Sequence, residues 1–200
     1  NINFDIEEVA VHKNFSMGKC KLATAAFGHG IATTLLQLAK GYAIISNGGY
    51  NVDPKLLIQN SNELVNEKKS IIKKDVSKKL VKILRKIVTD DEGTAGLANV
   101  DGYQIAGKTG TAEQVIDGQY SNTKINTFAS IFPSYNPEFV FIVMLDSPRG
   151  SPNYIYKYRN KKGTFTGTPF NTAGWTSVEV AGQIIEKIGP ILATKYLQVY

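Results

Sequence analysis

Gly102-Tyr103-Gln104-Ile105-Ala106-Gly107-Lys108-Thr109-Gly110-Thr111-Ala112-Glu113 is the stretch whose reading decides the fold. Two chemistries can be read from it. Gly102 to Thr109 fits G-x-x-x-x-G-K-T, a loop that cradles phosphates with its backbone N–H groups. Lys108-Thr109-Gly110 fits K-T-G, an acyl-transfer motif carried on a strand. The phosphate loop needs a buried strand before it and a helix after it. The helix start supplies N–H groups and the positive end of a dipole. The K-T-G reading needs an extended strand on a sheet edge.

The flanks separate the two. Residues 94–101 are glycine-broken and polar, and Asp117-Gly118 follows soon after the motif with no helical period between. Apolar positions recur inside the stretch at Tyr103 and Ile105 and beyond it at Val115, which suggests an extended segment. Phe139 to Asp146 resembles the strand-plus-aspartate that holds magnesium in nucleotide hydrolases. Yet residues 111–139 leave no room for the helical crossover of a parallel sheet. Nucleotide binding at Gly102–Thr109 is therefore a remote alternative. On the strand reading each residue type has a use. Lys108 is a fixed cation for a substrate carboxylate and for proton handling. Thr109 and Thr111 bring hydroxyls to the same carboxylate. Gly110 leaves room for a ligand backbone, and the N–H of Thr111 serves as half of an oxyanion hole.

Outward from the motif, Asn126–Phe132 reads as a strand, Ser134-Tyr135-Asn136-Pro137 as a hairpin loop and Phe139–Leu145 as a central buried strand. Three consecutive antiparallel strands result. Thr34–Asn47 reads as a core helix. Thr34 and Gln37 make its capping box, and Leu35, Leu38, Ala39, Tyr42, Ala43 and Ile45 form its apolar face. Asp53-Pro54 with Leu56–Ile58 suggests a turn and a short strand, and residues 59–74 a polar surface excursion. Asp75–Thr89 reads as a helix capped by Asp75, with Val76, Leu80, Ile83, Leu84, Ile87 and Val88 as its stripe. Residues 147–173 read as a long surface loop. Its Tyr154, Tyr156, Tyr158 and Arg159 interleave aromatic and basic residues, a pattern that also suits stacking on single-stranded nucleic acid, but no nucleic-acid motif surrounds it. Thr176–Ile188 reads as a final helix closed by Gly189-Pro190.

The 200 residues are 42% hydrophobic and 20% charged, which suits a packed globular core rather than disorder. The net charge of +6 is densest between Lys68 and Lys86 and reads as a solvated face rather than a nucleic-acid or anionic-lipid contact. Cys20 is the single cysteine, so no internal disulfide or cysteine metal site can form. His12 and His29 alone make a zinc site unexpected. His29 sits in Phe27-Gly28-His29-Gly30, read as a turn before the first long helix, with no neighbour that would make it a base. No apolar run is long enough to span a bilayer. The chain starts at Asn1 without a signal peptide, so an excised or truncated piece is expected.

Several segments together carry a family resemblance. In chain order they are Phe27-Gly28-His29-Gly30-Ile31 with Thr34–Ala39, Asn47-Gly48-Gly49, Glu92-Gly93-Thr94-Ala95, Gly107–Glu113, Phe132-Pro133, Val143–Asp146 and Thr172-Ala173-Gly174-Trp175. The chain resembles the C-terminal half of the transpeptidase domain of class B penicillin-binding proteins, most of all the division-specific peptidoglycan D,D-transpeptidases. Residues 27–190 carry the resemblance, and residues 1–200 are expected to form one partial domain. The implied fold is α+β, an antiparallel sheet with packed helices, as in penicillin-binding proteins and serine β-lactamases.

That family orders its motifs S-x-x-K, S-x-N and K-T-G. Ser16–Lys19 and Ser70–Lys73 fit the first pattern but stand too close to Lys108, and Ser134–Asn136 fits the second but follows K-T-G. All three read as chance matches, so the nucleophile is expected upstream of Asn1. Leu35 replaces a proline usual at that helix start, and the 147–173 loop is longer than usual. The resemblance implies catalytic roles for Lys108, Thr109 and Gly110, with Thr111 binding substrate, and no nucleophile in this chain. It implies no metal and no organic cofactor. The implied partners are a peptidoglycan stem peptide ending in D-Ala-D-Ala, β-lactams and membrane proteins of the division complex, and no nucleic acid. The implied location is the periplasmic face of the inner membrane, through an anchor outside these residues. The 200 residues alone are expected to be inactive, and a non-catalytic binding module derived from such an enzyme is the alternative.

Overall fold

The computed structural model describes residues 18–26, 28, 33–54, 69–116, 119–159, 163–167 and 171–195. The chain divides into two compact units, Asn1–Leu38 and Ala39–Tyr200. The first holds a short helix, α1 (Lys19–Ala25), and the entry to α2 (Leu35–Ser46). The capping box forms as expected. The Gln37 N–H donates to Thr34 Oγ1 at 3.1 Å, and the Thr34 N–H donates back to Gln37 Oε1 at 3.3 Å. Both groups would otherwise be orphan donors of the first turn. The expectation that α2 is a core helix is corrected: none of its residues is fully buried, and Leu35 is exposed. An apolar stripe shows that a helix has an inner face, not how completely that face is covered.

The second unit begins with the rest of α2. Asn47 Oδ1 closes it by accepting the N–H groups of Gly49 and Tyr50. The expected strand at Leu56–Ile58 lies outside the described residues, as do residues 59–68 of the polar excursion. Next comes α3 (Lys74–Thr89). Its N-cap is Lys73, without a side-chain cap, and Asp75 instead lies in the first turn. There its charge favours the helix dipole. The buried positions are Ser77 and Val88, with Leu80, Val81 and Leu84 half-buried between them, whereas Val76 and Ile83 are exposed. The inner face keeps Leu80, Leu84, Ile87 and Val88 of the expected stripe, drops Val76 and Ile83, and takes in Ser77, which donates to the Ile45 carbonyl at 2.7 Å.

The main sheet has three strands: β1 (Ala106–Ile116), β2 (Gln119–Phe132) and β3 (Phe139–Asp146), all antiparallel and in that spatial order. Phe128 lies opposite Thr109 on one side and Val143 on the other. The expected meander is present, but β2 and not β3 is the central strand, and β2 starts earlier than Asn126. Only Val143 of β3 is buried. A continuous apolar run fits a strand with both faces half-covered as well as a central one, and periodicity does not separate the two.

Residues 147–173 are less loop-like than expected. They include a two-stranded ribbon, β4 (Ile155–Lys157) and β5 (Thr164–Thr166). The tyrosines are not a free stacking platform. Tyr156 is buried with its ring 5.3 Å from Trp175, and Tyr158 lies 6.0 Å from the same ring. Arg159 is spent on Leu97 O at 2.7 Å and Glu186 Oε2 at 3.0 Å. The last helix, α4 (Ser177–Lys195), runs through Gly189-Pro190 rather than ending there. The Tyr103 ring sits where a Cβ of residue 189 would stand, and Leu192 packs on the core beyond. Tertiary contacts override the local stop signal. The core gathers Phe128, Phe132 and Val143 from the sheet, Val88 from α3, Leu97 from a 3-10 turn (Gly96–Ala98), and Val178, Ala181 and Ile185 from α4.

Candidate active site

Lys108-Thr109-Gly110-Thr111 lies within β1, which among the described residues has a strand partner on one side only. The register fixes which backbone groups face the open side. Ser147 N–H donates to Lys124 O at 2.9 Å, so even-numbered residues of β2 point toward β3 and odd-numbered ones toward β1. The pairs Ala129–Lys108 and Thr127–Gly110 are then the bonded ones of the β1 ladder. Gly107, Thr109 and Thr111 turn their N–H and C=O groups to the free edge. The Thr109 carbonyl is reached there by Lys108 Nζ at 2.7 Å. This rules out the phosphate-loop geometry, since the lysine sits inside a strand and no helix follows it.

The same ammonium lies 3.3 Å from Thr109 Oγ1, which shares a hydrogen bond of 3.0 Å with Thr94 Oγ1. An exposed cation and two hydroxyls therefore form a short polar chain. Thr111 Oγ1 accepts the backbone N–H of Ala173 at 3.0 Å, which leaves its own O–H proton free to donate. The strand is held at its start from two sides. Arg85 donates to Ile105 O at 2.6 Å, and the Ser134 N–H donates to Gln104 O at 2.9 Å. Burial lowers the Arg85 pKa from its ordinary value. Beside the strand opens a cleft of about 400 Å³, where Asp91, Glu92 and Thr94 meet Thr109, Thr111, Tyr158 and Trp175.

Two glycines of β1 differ in kind. A Cβ on Gly107 would stand 2.6 Å from the Ala129 carbonyl and 2.7 Å from the Phe128 ring, so packing demands glycine there. A Cβ on Gly110 would meet nothing nearer than 3.9 Å. The fold does not require glycine at 110.

Of the expected site residues, Thr109 and Thr111 line the cleft, Lys108 reaches back to Thr109, and Gly110 is exposed between them. Thr94, Trp175 and Tyr158 carried no expected role, although Glu92–Ala95 and Thr172–Trp175 were already segments of the resemblance. The Ser70 pattern lacks the geometry of a nucleophile pair. Ser70 precedes α3, its hydroxyl donates to Ile72 O at 3.1 Å, and Lys73 is the cap of the next helix. Ser16 and His29 lie outside the described residues. Ser134–Asn136 sits in the hairpin between β2 and β3. Among the described residues no group of three or more His, Cys, Asp or Glu side chains could hold a metal, and no helix is long and apolar enough to cross a membrane.

A family model for the penicillin binding protein transpeptidase domain matches residues 2–165. The chain belongs to this family. Transpeptidase relatives of the class B, FtsI/PBP3-like kind surround it. The probable peptidoglycan D,D-transpeptidase FtsI of Caulobacter vibrioides is 29% identical over 87% of this chain and 28% of its own length. The probable peptidoglycan D,D-transpeptidase PenA of Neisseria flavescens is 34% identical over 68% of this chain and 33% of its own. The chain thus spans about a third or less of these relatives. Solved transpeptidase structures have the same fold. The transpeptidase domain of Burkholderia pseudomallei penicillin-binding protein 3 superposes with a TM-score of 0.70 at 24% identity, covering 92% of this chain and 48% of that one. Penicillin-binding protein 3 of Mycobacterium tuberculosis, in complex with aztreonam, gives 0.62 at 28% identity over 84% and 38%. The α+β architecture with an antiparallel sheet is that of the transpeptidase family.

Proposed function

We propose that this chain supplies the K-T-G wall of a serine D,D-transpeptidase that cross-links peptidoglycan during cell division. One observation carries the reading: in a chain of this family, Lys108–Thr111 occupies the free edge of an antiparallel sheet, with the backbone of Thr109 and Thr111 turned outward. A stem peptide ending in D-Ala-D-Ala lies along that edge as an added strand. Lys108 and the hydroxyls of Thr109 and Thr111 hold its carboxylate, and Gly110 lets its backbone pass. The Thr111 N–H stabilises the oxyanion as the carbonyl becomes tetrahedral. β-Lactams occupy the same wall, in keeping with the aztreonam complex of the Mycobacterium tuberculosis relative.

The attacking serine lies outside these 200 residues, and residues 1–200 are one part of the transpeptidase domain. The parent protein acts at the periplasmic face of the inner membrane with division-complex membrane proteins. Labelling with a fluorescent penicillin tests this. The 200-residue chain is expected to stay unlabelled, while the protein encoded by the complete reading frame is labelled and loses the label with Lys108→Ala. Labelling of the short chain that disappears with Ser16→Ala or Ser70→Ala would overturn the assignment.

A further inference from the structure

We infer that Asn126 is a positioning residue of the cleft, tying the turn that carries Trp175 to the strand behind Thr111. Asn126 is fully buried on β2, directly opposite Thr111 in the register. Its Nδ2 donates to Asn171 Oδ1 at 2.8 Å and to Thr176 Oγ1 at 2.9 Å. Both acceptors are fixed in that role by other bonds. Asn171 Nδ2 is engaged with Pro148 O at 2.9 Å, so its oxygen faces Asn126. The Thr176 hydroxyl donates to Thr172 O at 2.9 Å, so its lone pair faces Asn126. The network runs in one direction, and only a donor at position 126 completes it.

The turn is held at three points: Asn171 and Thr176 through Asn126, and Ala173 through Thr111. Thr172, Gly174 and Trp175, between those points, line the cleft. All three attachments are partly buried, and Asn126 is the fully buried side chain that carries two of them. Asn126 Oδ1 is buried without a protein partner, so an amide here is kept for its two donors. An apolar side chain of similar volume would fill the space but leave the turn without a fixed seat on the sheet. The inference needs only the cleft geometry; its consequence for acylation rests on the transpeptidase reading.

Trp175 is the single tryptophan, so its emission, near-ultraviolet dichroism and acrylamide quenching report the turn directly. Asn126→Leu and Asn126→Asp are expected to raise the quenching constant by about twofold with far-ultraviolet dichroism retained. Ser130→Ala is the control. It removes another fully buried polar group of β2, bonded to Phe141 O at 2.8 Å, and is expected to leave Trp175 unchanged. If the Asn126 variants do not fold, Thr176→Val and Asn171→Ala remove the acceptors from the other side and are expected to move Trp175 the same way. In the complete protein, Asn126→Leu is expected to slow penicillin acylation by about tenfold and Ser130→Ala by less than about twofold. An unmoved Trp175, a Ser130→Ala effect equal to that of Asn126→Leu, or a moved Trp175 with unaltered acylation would overturn the inference. A complete wild-type protein that no penicillin labels would sink the transpeptidase reading while the Trp175 comparison still judges the tie.

Discussion

Gly107 and Gly110 stand three residues apart on one strand and are glycines for different reasons. At 107 the neighbouring strand leaves no space for a methyl group, so Gly107→Ala is expected to cost about 1–3 kcal/mol in urea unfolding. At 110 the space is open, so Gly110→Ala is expected to change stability by less than about 1 kcal/mol. Its effect is expected instead on acylation of the complete protein by a β-lactam, slower than in the wild type. Equal stability losses at the two positions would remove the argument that Gly110 is kept for a ligand. That Lys108, Thr109 and Thr111 share one strand was legible in the sequence because the motif is contiguous. Asn126 was not, because its partners lie 45 and 50 positions away and no local pattern connects them. Its buried, unpartnered oxygen carries a desolvation cost on the order of 1–3 kcal/mol that nothing in the sequence announces.

At the scale of elements, local signals held where no distant group competed with them. The Thr34–Gln37 capping box is such a case, complete within four residues. The end of α4 is the opposite case. Gly189-Pro190 is a stop signal by local rules, but Gly189 is seated under Tyr103, and the helix continues to Lys195. Gly189→Ala is therefore expected to destabilise the chain by about 1 kcal/mol, less than Gly107→Ala, because its Cβ would fall 2.3 Å from the far end of the Tyr103 side chain and not from backbone. Pairing it with Tyr103→Ala, measured as a double-mutant cycle in urea, should recover part of the Gly189→Ala loss. The apolar stripe of α3 holds for Leu80, Leu84, Ile87 and Val88 and fails at Val76 and Ile83, while Ser77 faces inward to donate to a carbonyl of α2, a bond between residues 32 apart. Helix α2 also carries a titration. Burial pushes the Tyr42 phenol from 10.0 up to about 12. The folded chain then holds that proton after the unfolded chain has released it. Stability is full below pH 10 and is lost as pH rises toward 12, by at most about 2–3 kcal/mol. In equilibrium unfolding across that window, Tyr42→Phe should show a shallower decline than the parent chain. Parallel declines would refute the assignment to Tyr42.

For the whole molecule, an antiparallel meander with helices was legible from alternation, turns and the spacing of hydrophobic runs. The order of burial within the sheet was not. Phe139–Leu145 is the most apolar run in the chain, yet β3 has one strand partner among the described residues, and Met144 is exposed. Hydrophobicity measures what a strand can lose to water, whereas neighbours decide what it does lose. An apolar strand at an edge invites pairing with another chain. Met144→Lys is expected to lower static light scattering of the isolated chain on concentration, with the melting temperature little changed. Unchanged scattering would show that association runs through another surface.

The register of the sheet has a further consequence, for the order of assembly. Among the described residues β1, β2 and β3 pair with their neighbours in sequence, and their contacts close over short loops. Pairings of that kind form early, because little chain entropy is lost in bringing the strands together. The seat of the Trp175 turn closes late, since it must wait for residues 171–176 to return to a strand laid down some 45 residues before. On a ribosome, the edge that carries Lys108–Thr111 would exist as a strand before the cleft beside it has its second wall.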